Sequence, residues 1–208
     1  MRYIHNVDIQ LLCANKKKKM KKILILALMT IGMNSIQAQE VKSIEAEGNL
    51  ESPNPCGCVE LSEVTNEHNP ADILTGMGKC IELKDFDKAA KLFAISGVYG
   101  TYDKYRVADK SAHQALLMLQ QNILMNIDEK DKEPLMTSLN KTLEKGSEEL
   151  NIVCNTIRKI GMPNYYPKYM IQHGIQAFMD NKGDGLVEEF DDIESWNLAL
   201  NNYLHCGE

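Results

Sequence analysis

One histidine and one carboxylate stand at a spacing that could support acid–base chemistry. His113 follows Asp109 by four residues, so on a helix the two side chains would share a face and could pair. An imidazole oriented by a carboxylate can act as a general base. His113 and Asp109 are therefore the candidate catalytic residues. Because no nucleophile motif accompanies them, we expect a partly buried structural histidine and keep catalysis as the alternative.

A second group of polar and aromatic side chains follows a proline-bounded loop. Tyrosine and histidine combine an apolar body with a polar tip, which suits the lining of a pocket. The alternative is that the loop simply packs against the last helix of the chain. The candidate ligand-binding residues are Tyr165, Tyr166, Tyr169 and His173.

The segment 180–191, DNKGDGLVEEFD, resembles a calcium-binding loop of the EF-hand type. It has acids at the first and fifth positions, glycine at the sixth and an apolar residue at the eighth. The resemblance implies calcium as a cofactor, with Asp180, Asp184 and Asp191 as candidate metal ligands. Lys182 places a cation among the ligands, and Asp191 replaces the usual closing glutamate. We therefore expect a polar turn and no cofactor.

Five cysteines remain once an N-terminal leader is set aside, so at least one thiol has no partner within the chain. We expect one buried bridge among the three that lie on or beside helices, and Cys56 or Cys58 could then tie down the N-terminal segment. The alternative is a soft-metal site at Cys56-Gly-Cys58, with His205 and Cys206 as distant partners. The disulfide candidates are Cys56, Cys58, Cys80, Cys154 and Cys206.

The first 38 residues read as a leader. The lysine run 16–22 precedes the short apolar stretch 23–31, and Ala38 ends a polar segment, which is the pattern of a cleaved secretory signal peptide. Met20 is the expected true start, and cleavage is expected after Ala38. The apolar stretch is too short for an anchor, so we expect an exported, periplasmic or extracellular protein without a membrane span.

The charge balance restricts the partners. Without residues 1–38, which hold seven basic residues and one acidic residue, the chain keeps 16 basic and 28 acidic residues, a formal net charge of −12. Nucleic acid would be repelled by this field. We expect an unknown protein or small-molecule partner that is cationic rather than anionic.

Apolar residues recur at helical spacing along most of the chain. Asn69-Pro70 predicts a helix start, a hairpin follows, and Gly97 is expected to end its second helix. A further helix is expected from Asp103. One long helix is expected from Pro134 to Ile160 after a charged loop at 128–133. A shorter helix is expected over 167–178, and a last one from Asp191.

Within the hairpin, an aromatic, a small and another aromatic residue occur at Phe86, Ala89 and Phe93. This pattern resembles the second helix of a tetratricopeptide or Sel1-type repeat, over residues 74–97 only. Cys80 takes the place of an aromatic, and no second copy follows. The resemblance implies a helical hairpin of that style rather than a peptide-binding array.

Taken together, these patterns predict an all-α fold of about six helices, an irregular bundle or short solenoid. The predicted organisation is a leader over 1–38, a flexible acidic lead-in over 39–55 and a single helical domain over 56–208. The predicted function is that of a helical binding or interaction protein of the bacterial cell envelope, without catalytic activity. An envelope hydrolase using His113 or His173, and an immunity-type inhibitor of a cationic toxin, are the alternatives.

Overall fold

A computed structural model describes residues 45–179 and 183–207. The described chain is all-α, as predicted, and its one β-type contact is an isolated bridge between Val107 and Leu186. No helix in these ranges is long and apolar enough to cross a membrane. The leader, residues 39–44 of the lead-in and Asp180 lie outside the described residues. The described ranges contain seven α-helices: α1 (Pro70–Glu82), α2 (Phe86–Arg106), α3 (Ala115–Met125), α4 (Glu129–Thr142), α5 (Glu148–Ile160), α6 (Lys168–Ile171) and α7 (Asp192–Leu204).

Helices α1 and α2 form the predicted hairpin. Asn69 caps α1 by accepting a hydrogen bond from the Asp72 amide, and the Asp72 carboxylate accepts one from the Asn69 amide, which is a reciprocal capping box. Asp85 caps α2 by accepting from the Lys88 amide. Local polar groups at both helix starts thus define the hairpin.

Helix α2 is longer than the sequence predicted. It runs through Gly97 to Arg106, so the expected helix end at Gly97 is wrong. A side chain at Gly97 would collide with the ring of Tyr203 from α7, and one at Gly100 would collide with Leu116 from α3. These glycines allow neighbouring helices to approach closely, which is why they lie inside a helix despite their poor propensity.

The predicted helix from Asp103 is also corrected. Asp103 lies in the last turn of α2, a 3₁₀ turn follows at Lys110–Gln114, and α3 begins only at Ala115. The interruption has a local cause, because Asp109 accepts from the Ser111 amide and caps the 3₁₀ turn.

The long helix predicted from Pro134 to Ile160 is two helices. Helix α4 begins at Glu129, so the expected charged loop at 128–133 forms its first turns. The break lies at Gly146, whose φ of +78° belongs to the left-handed region, and Ser147 caps α5 through the Leu150 amide. The apolar spacing continued across the break, and so it could not reveal the turn.

The expected helix over 167–178 is divided as well. Helix α6 ends at Ile171, and a separate 3₁₀ turn spans Ile175–Phe178. Ser111 and Asp109 accept hydrogen bonds from the amides of Ile175 and Gln176 at 2.9 Å. These contacts direct the chain away from an α-helical path. Helix α7 begins, as predicted, with Asp191 as its cap.

Helix α2 is the centre of the core and packs against α1, α4 and α7. Aromatic rings fill the space between α2 and α7: Trp196 lies 6.0 Å from Tyr99 and 6.1 Å from Tyr102, centroid to centroid. Among the described cysteines, two disulfides join the periphery to this core, Cys58–Cys80 and Cys154–Cys206, and Cys56 is a free thiol. The cysteines thus pair as expected, with two bridges and one thiol.

Residues 45–55, placed by the sequence in the lead-in, contact the helical body. The Leu50 amide donates to the Tyr169 carbonyl at 3.0 Å. Ser52 Oγ and the Asn54 amide donate to the Asp72 carboxylate at 2.9 and 2.8 Å. This stretch therefore forms one wall of the surface described next.

Candidate ligand cleft beside residues 165–169

The cleft is built on a buried polar cluster that fixes two of its tyrosines. Asp103 is fully buried and accepts hydrogen bonds from the hydroxyls of Tyr165 and Tyr169 at 2.9 and 2.7 Å. Arg106 Nε donates to the other carboxylate oxygen at 2.8 Å. A buried carboxylate is stable only with such partners, so the cluster locks both hydroxyls inward.

The electrostatics of this cluster are those of a structural ion pair. Burial raises the pKa of Asp103, while Arg106 and the two hydroxyls act against that shift. Burial also raises the pKa values of Tyr165 and Tyr169 well above the usual range, and the Asp103 carboxylate adds to the effect. Both tyrosines are therefore neutral donors.

The guanidinium of Arg106 is held by rings as well as by Asp103. Its carbon lies 5.1 Å from the centre of the Tyr102 ring and 5.0 Å from that of Tyr165, which is within the range of cation–π attraction. Nη2 approaches Asp103 Oδ1 to 2.7 Å but lies outside hydrogen-bonding geometry. The stacked rings compensate in part for this incompletely bonded nitrogen.

The loop before α6 is anchored at two further points. The Tyr99 hydroxyl donates to the Gly161 carbonyl at 2.9 Å. The Asn164 amide donates to the Asn66 carbonyl at 2.7 Å, and Asn66 Nδ2 donates to the Met162 carbonyl at 3.1 Å. The ring positions of Tyr165 and Tyr166 therefore follow from the fold.

A cavity of about 350 Å³ opens between this loop and the segment 48–54, within the size range of small-ligand sites. Three tyrosines and three carboxylates contribute to its walls, together with one basic residue. The residues concerned are Tyr165, Tyr166, Tyr169, Glu51, Glu67, Asp72 and Lys168.

The three acids of the cleft differ in what they contact. Asp72 is buried and accepts from Ser52, Asn54 and Asn69, so its charge serves the fold. Glu51 and Glu67 are exposed. The cleft therefore offers the exposed ring of Tyr166 beside two solvated carboxylates, an arrangement that attracts an ammonium or guanidinium group.

The structure brings together three of the four predicted ligand-binding residues. His173 does not line the cleft: its Nδ1 lies 2.8 Å from Asn49 Oδ1, and burial lowers its pKa. His173 thus supports the segment 45–50 from behind. A neutral histidine at this point is consistent with a packing role.

The predicted pair of His113 and Asp109 is not joined by a hydrogen bond within the described chain. His113 Nε2 lies 2.9 Å from the Val107 carbonyl. Asp109 accepts from the Ser111 amide and hydroxyl and from the Gln176 amide. Burial opposes ionisation, yet these donors and the nearby His113 together lower the pKa of Asp109. Asp109 therefore holds the 3₁₀ turn Ile175–Phe178, whereas His113 contacts the backbone at Val107.

The predicted calcium loop has no helix–loop–helix frame in the described residues. The 3₁₀ turn precedes it, Asp184 accepts from the Leu186 amide and Asp191 caps α7. No group of three metal-ligating side chains occurs in the ranges 45–179 and 183–207. The Cys56–Cys58 thiolate pair proposed as a metal site is divided, because Cys58 is bonded to Cys80.

Comparison with known proteins found no matching family model, no matching curated protein and no matching solved structure.

Sequence reasoning missed the residues that complete the cleft. Asp103 and Arg106 carry a weak signal, since an acid three residues before an arginine can pair on a helix. Glu51 and Glu67 carried none, because only the fold brings the segment 48–54 beside the loop at 165–169.

Proposed function

We propose that the chain is an exported helical binding protein of the cell envelope that recognises a cationic group in the cleft beside residues 165–169. The observation that carries the proposal is the lining of this cleft, to which the exposed ring of Tyr166 and the exposed carboxylates of Glu51 and Glu67 contribute. Aromatic faces and carboxylates both attract ammonium and guanidinium groups, and each contribution is modest at an exposed site. We therefore expect weak, charge-dependent affinity for a single small cation.

The exported location is part of the proposal. It is supported by the leader pattern of residues 1–38 and by the two disulfides, which persist in oxidising compartments. Intact mass spectrometry of the mature protein from its native host, alkylated before reduction, tests it. We expect a chain that begins at Gln39 with two bridges and one alkylated thiol. A mass that retains Cys13, or five alkylated thiols, would contradict export.

The binding test uses two amino-acid derivatives of nearly the same shape. Nα-acetyl-lysine amide keeps the side-chain ammonium group, and Nα-acetyl-norleucine amide has none. Titrations followed by backbone NMR shifts should show the lysine compound perturbing residues 48–54 and 165–169. The norleucine compound should leave them unchanged. Equal perturbation by both compounds, or none by either, would overturn the proposal.

Three variants test whether the lysine compound binds in the cleft. Glu67→Gln and Glu51→Gln each remove one exposed carboxylate and should weaken lysine-amide binding about two- to fivefold, the scale of an exposed ion pair. Glu133→Gln on α4 makes the same charge change on another exposed surface and should have no effect. If all three variants weaken binding equally, the attraction belongs to the net charge and not to the cleft.

A further inference from the structure

A strip of large apolar side chains is exposed just after α6. Ile175, Phe178 and Met179 are 70%, 56% and 59% exposed. They lie within five residues of each other, whereas most other exposed apolar residues of the described chain are scattered. Together they expose apolar surface on the order of 300 Å², the size at which patches on soluble proteins are often functional.

The strip is held in a fixed geometry. Side chains three residues apart in a 3₁₀ helix lie above one another, so Ile175 and Phe178 share one face of the turn Ile175–Phe178. The amides at the start of the turn donate to Ser111 and Asp109. Gly174 lies so close to Asp109 and Ala112 that no side chain would fit there. Such an anchored turn presents its apolar face without needing to reorganise.

An acidic groove adjoins the strip. A cavity of about 490 Å³ is lined by Phe178 and Ala177 on one side and by Glu45, Ala46 and Glu47 on the other. Lys168 is the basic residue of this lining, and its ammonium lies 3.8 Å from Glu47. The groove therefore joins an exposed ring to two exposed carboxylates, one of which is only partly neutralised.

We propose that Ile175, Phe178 and Met179, with the groove beside Glu45 and Glu47, form a docking surface for a cationic amphipathic segment of another protein. An apolar strip bordered by acids is complementary to a segment that carries apolar residues on one face and Lys or Arg at its edge. The same acids, and the net charge of −12 without residues 1–38, oppose both an anionic membrane and a second copy of this chain. The partner is thus defined by its chemistry.

This surface is distinct from the cleft that carries the proposed function. The two share Lys168 in their linings, but the exposed acids of the cleft are Glu51 and Glu67, and those of the groove are Glu45 and Glu47. Either can fail without the other, and separate variants distinguish the two outcomes.

The experiment measures binding of a synthetic leucine–lysine amphipathic peptide to the mature protein by fluorescence anisotropy, with a leucine–glutamate peptide of equal length as the charge control. The lysine peptide should bind and the glutamate peptide should not. Phe178→Ser and Ile175→Ser should each weaken binding about tenfold, because each removes a large apolar contact. Ile152→Ser on α5, where the isoleucine is 56% exposed, is the matched control and should bind like the unchanged protein.

Further measurements decide between occupants. Backbone NMR shifts induced by the lysine peptide should be centred on residues 175–179 and 45–47. Circular dichroism should show both strip variants folded, and Glu133→Gln on α4 should leave peptide binding unchanged. Absence of binding, equal binding by Phe178→Ser, or shifts centred elsewhere would overturn the proposal. Two other results would overturn the proposal in favour of a different occupant. The first is binding to phosphatidylethanolamine–phosphatidylglycerol vesicles, and the second is dimerisation in sedimentation. Either would count if it is lost in the strip variants and is seen in place of peptide binding.

Discussion

The segment from Tyr165 to Met179 has an inner and an outer side that use similar side chains for opposite purposes. On the inner side, the hydroxyls of Tyr165 and Tyr169 are bound to buried Asp103. On the outer side, Tyr166 and Phe178 keep about half of their surface exposed. Aromatic residues that are clustered in sequence thus have different roles, depending on whether their polar atoms find buried partners. Only the exposed members of the cluster remain available to a ligand.

Substitutions on the inner side should affect stability, and substitutions on the outer side should affect binding. A buried charge depends on every partner around it, so the loss of one partner is costly. Exposed rings and carboxylates contribute little to folding, and their substitution usually changes stability by less than about 0.5 kcal/mol. Inner substitutions should thus destabilise the protein, and outer substitutions should alter recognition alone.

The largest expected effect comes from Asp103→Asn. The change leaves the Arg106 guanidinium buried without its counter-ion, and we expect a loss of about 3–5 kcal/mol in the free energy of unfolding. Denaturant unfolding followed by circular dichroism measures it. Asp87→Asn, in the first turn of the same helix with a side chain 58% exposed, should cost less than about 1 kcal/mol. Equal costs for the two variants would show that the inner side is not the stabilising one.

A smaller effect separates two tyrosines within one loop. Tyr169→Phe removes a buried hydroxyl that donates to Asp103 at 2.7 Å, and we expect a cost of about 1–2 kcal/mol because the carboxylate loses a donor. Tyr166→Phe removes a hydroxyl that donates to the Asp184 carbonyl from an exposed position, and we expect less than about 0.5 kcal/mol. Thermal unfolding of the two variants side by side checks the order. A larger cost for Tyr166→Phe would reverse the assignment of inner and outer sides.

Much of the fold followed from local signals. The all-α class, the start of α1 at Asn69-Pro70, the end of α5 at Gly161 and the start of α7 at Asp191 were predictable, because capping groups and apolar spacing act over a few residues. The resemblance of α2 to a tetratricopeptide-type helix stays a prediction, since no comparison bears on it.

The errors arise from contacts and turns that the spacing of apolar residues does not reveal. Gly97 ends no helix because the ring of Tyr203, over a hundred residues later, packs where a side chain would be. The apolar residues from Leu135 to Ile160 keep their helical spacing through a turn. This spacing indicates which face of a helix is buried, and it does not indicate whether the helix is continuous. Likewise His113 and Asp109 have a catalytic spacing, but His113 contacts the nearby Val107 carbonyl, and Asp109 accepts from the Gln176 amide, which the fold brings close. A long-range contact decided the first case, a local turn decided the second, and both kinds of contact decided the third.

The smallest expected effect concerns Cys56, which follows the segment 48–54 that lines the cleft. Its thiol is half-buried and lies 3.3 Å from the Gly57 carbonyl, and burial raises its pKa from 9.0 to about 11. If the segment 45–58 is held as firmly as the inner side, iodoacetamide should react at pH 8 about a hundredfold more slowly than with an ordinary thiol, because the thiolate is the reactive form. The rate should rise until about pH 11.

The raised pKa of Cys56 also determines the direction in which stability changes with pH. The folded chain keeps the Cys56 proton to about pH 11, whereas the unfolded chain begins to release it near its usual pKa of 9.0. This contribution to stability is therefore complete below pH 9 and is lost as the pH rises toward 11. Cys56→Ser should remove the loss of stability between pH 9 and pH 11. It should leave the free energy of unfolding at pH 7 unchanged. An alkylation midpoint near pH 9, with no difference between the two stability profiles, would mean that the segment opens readily and belongs with the outer side.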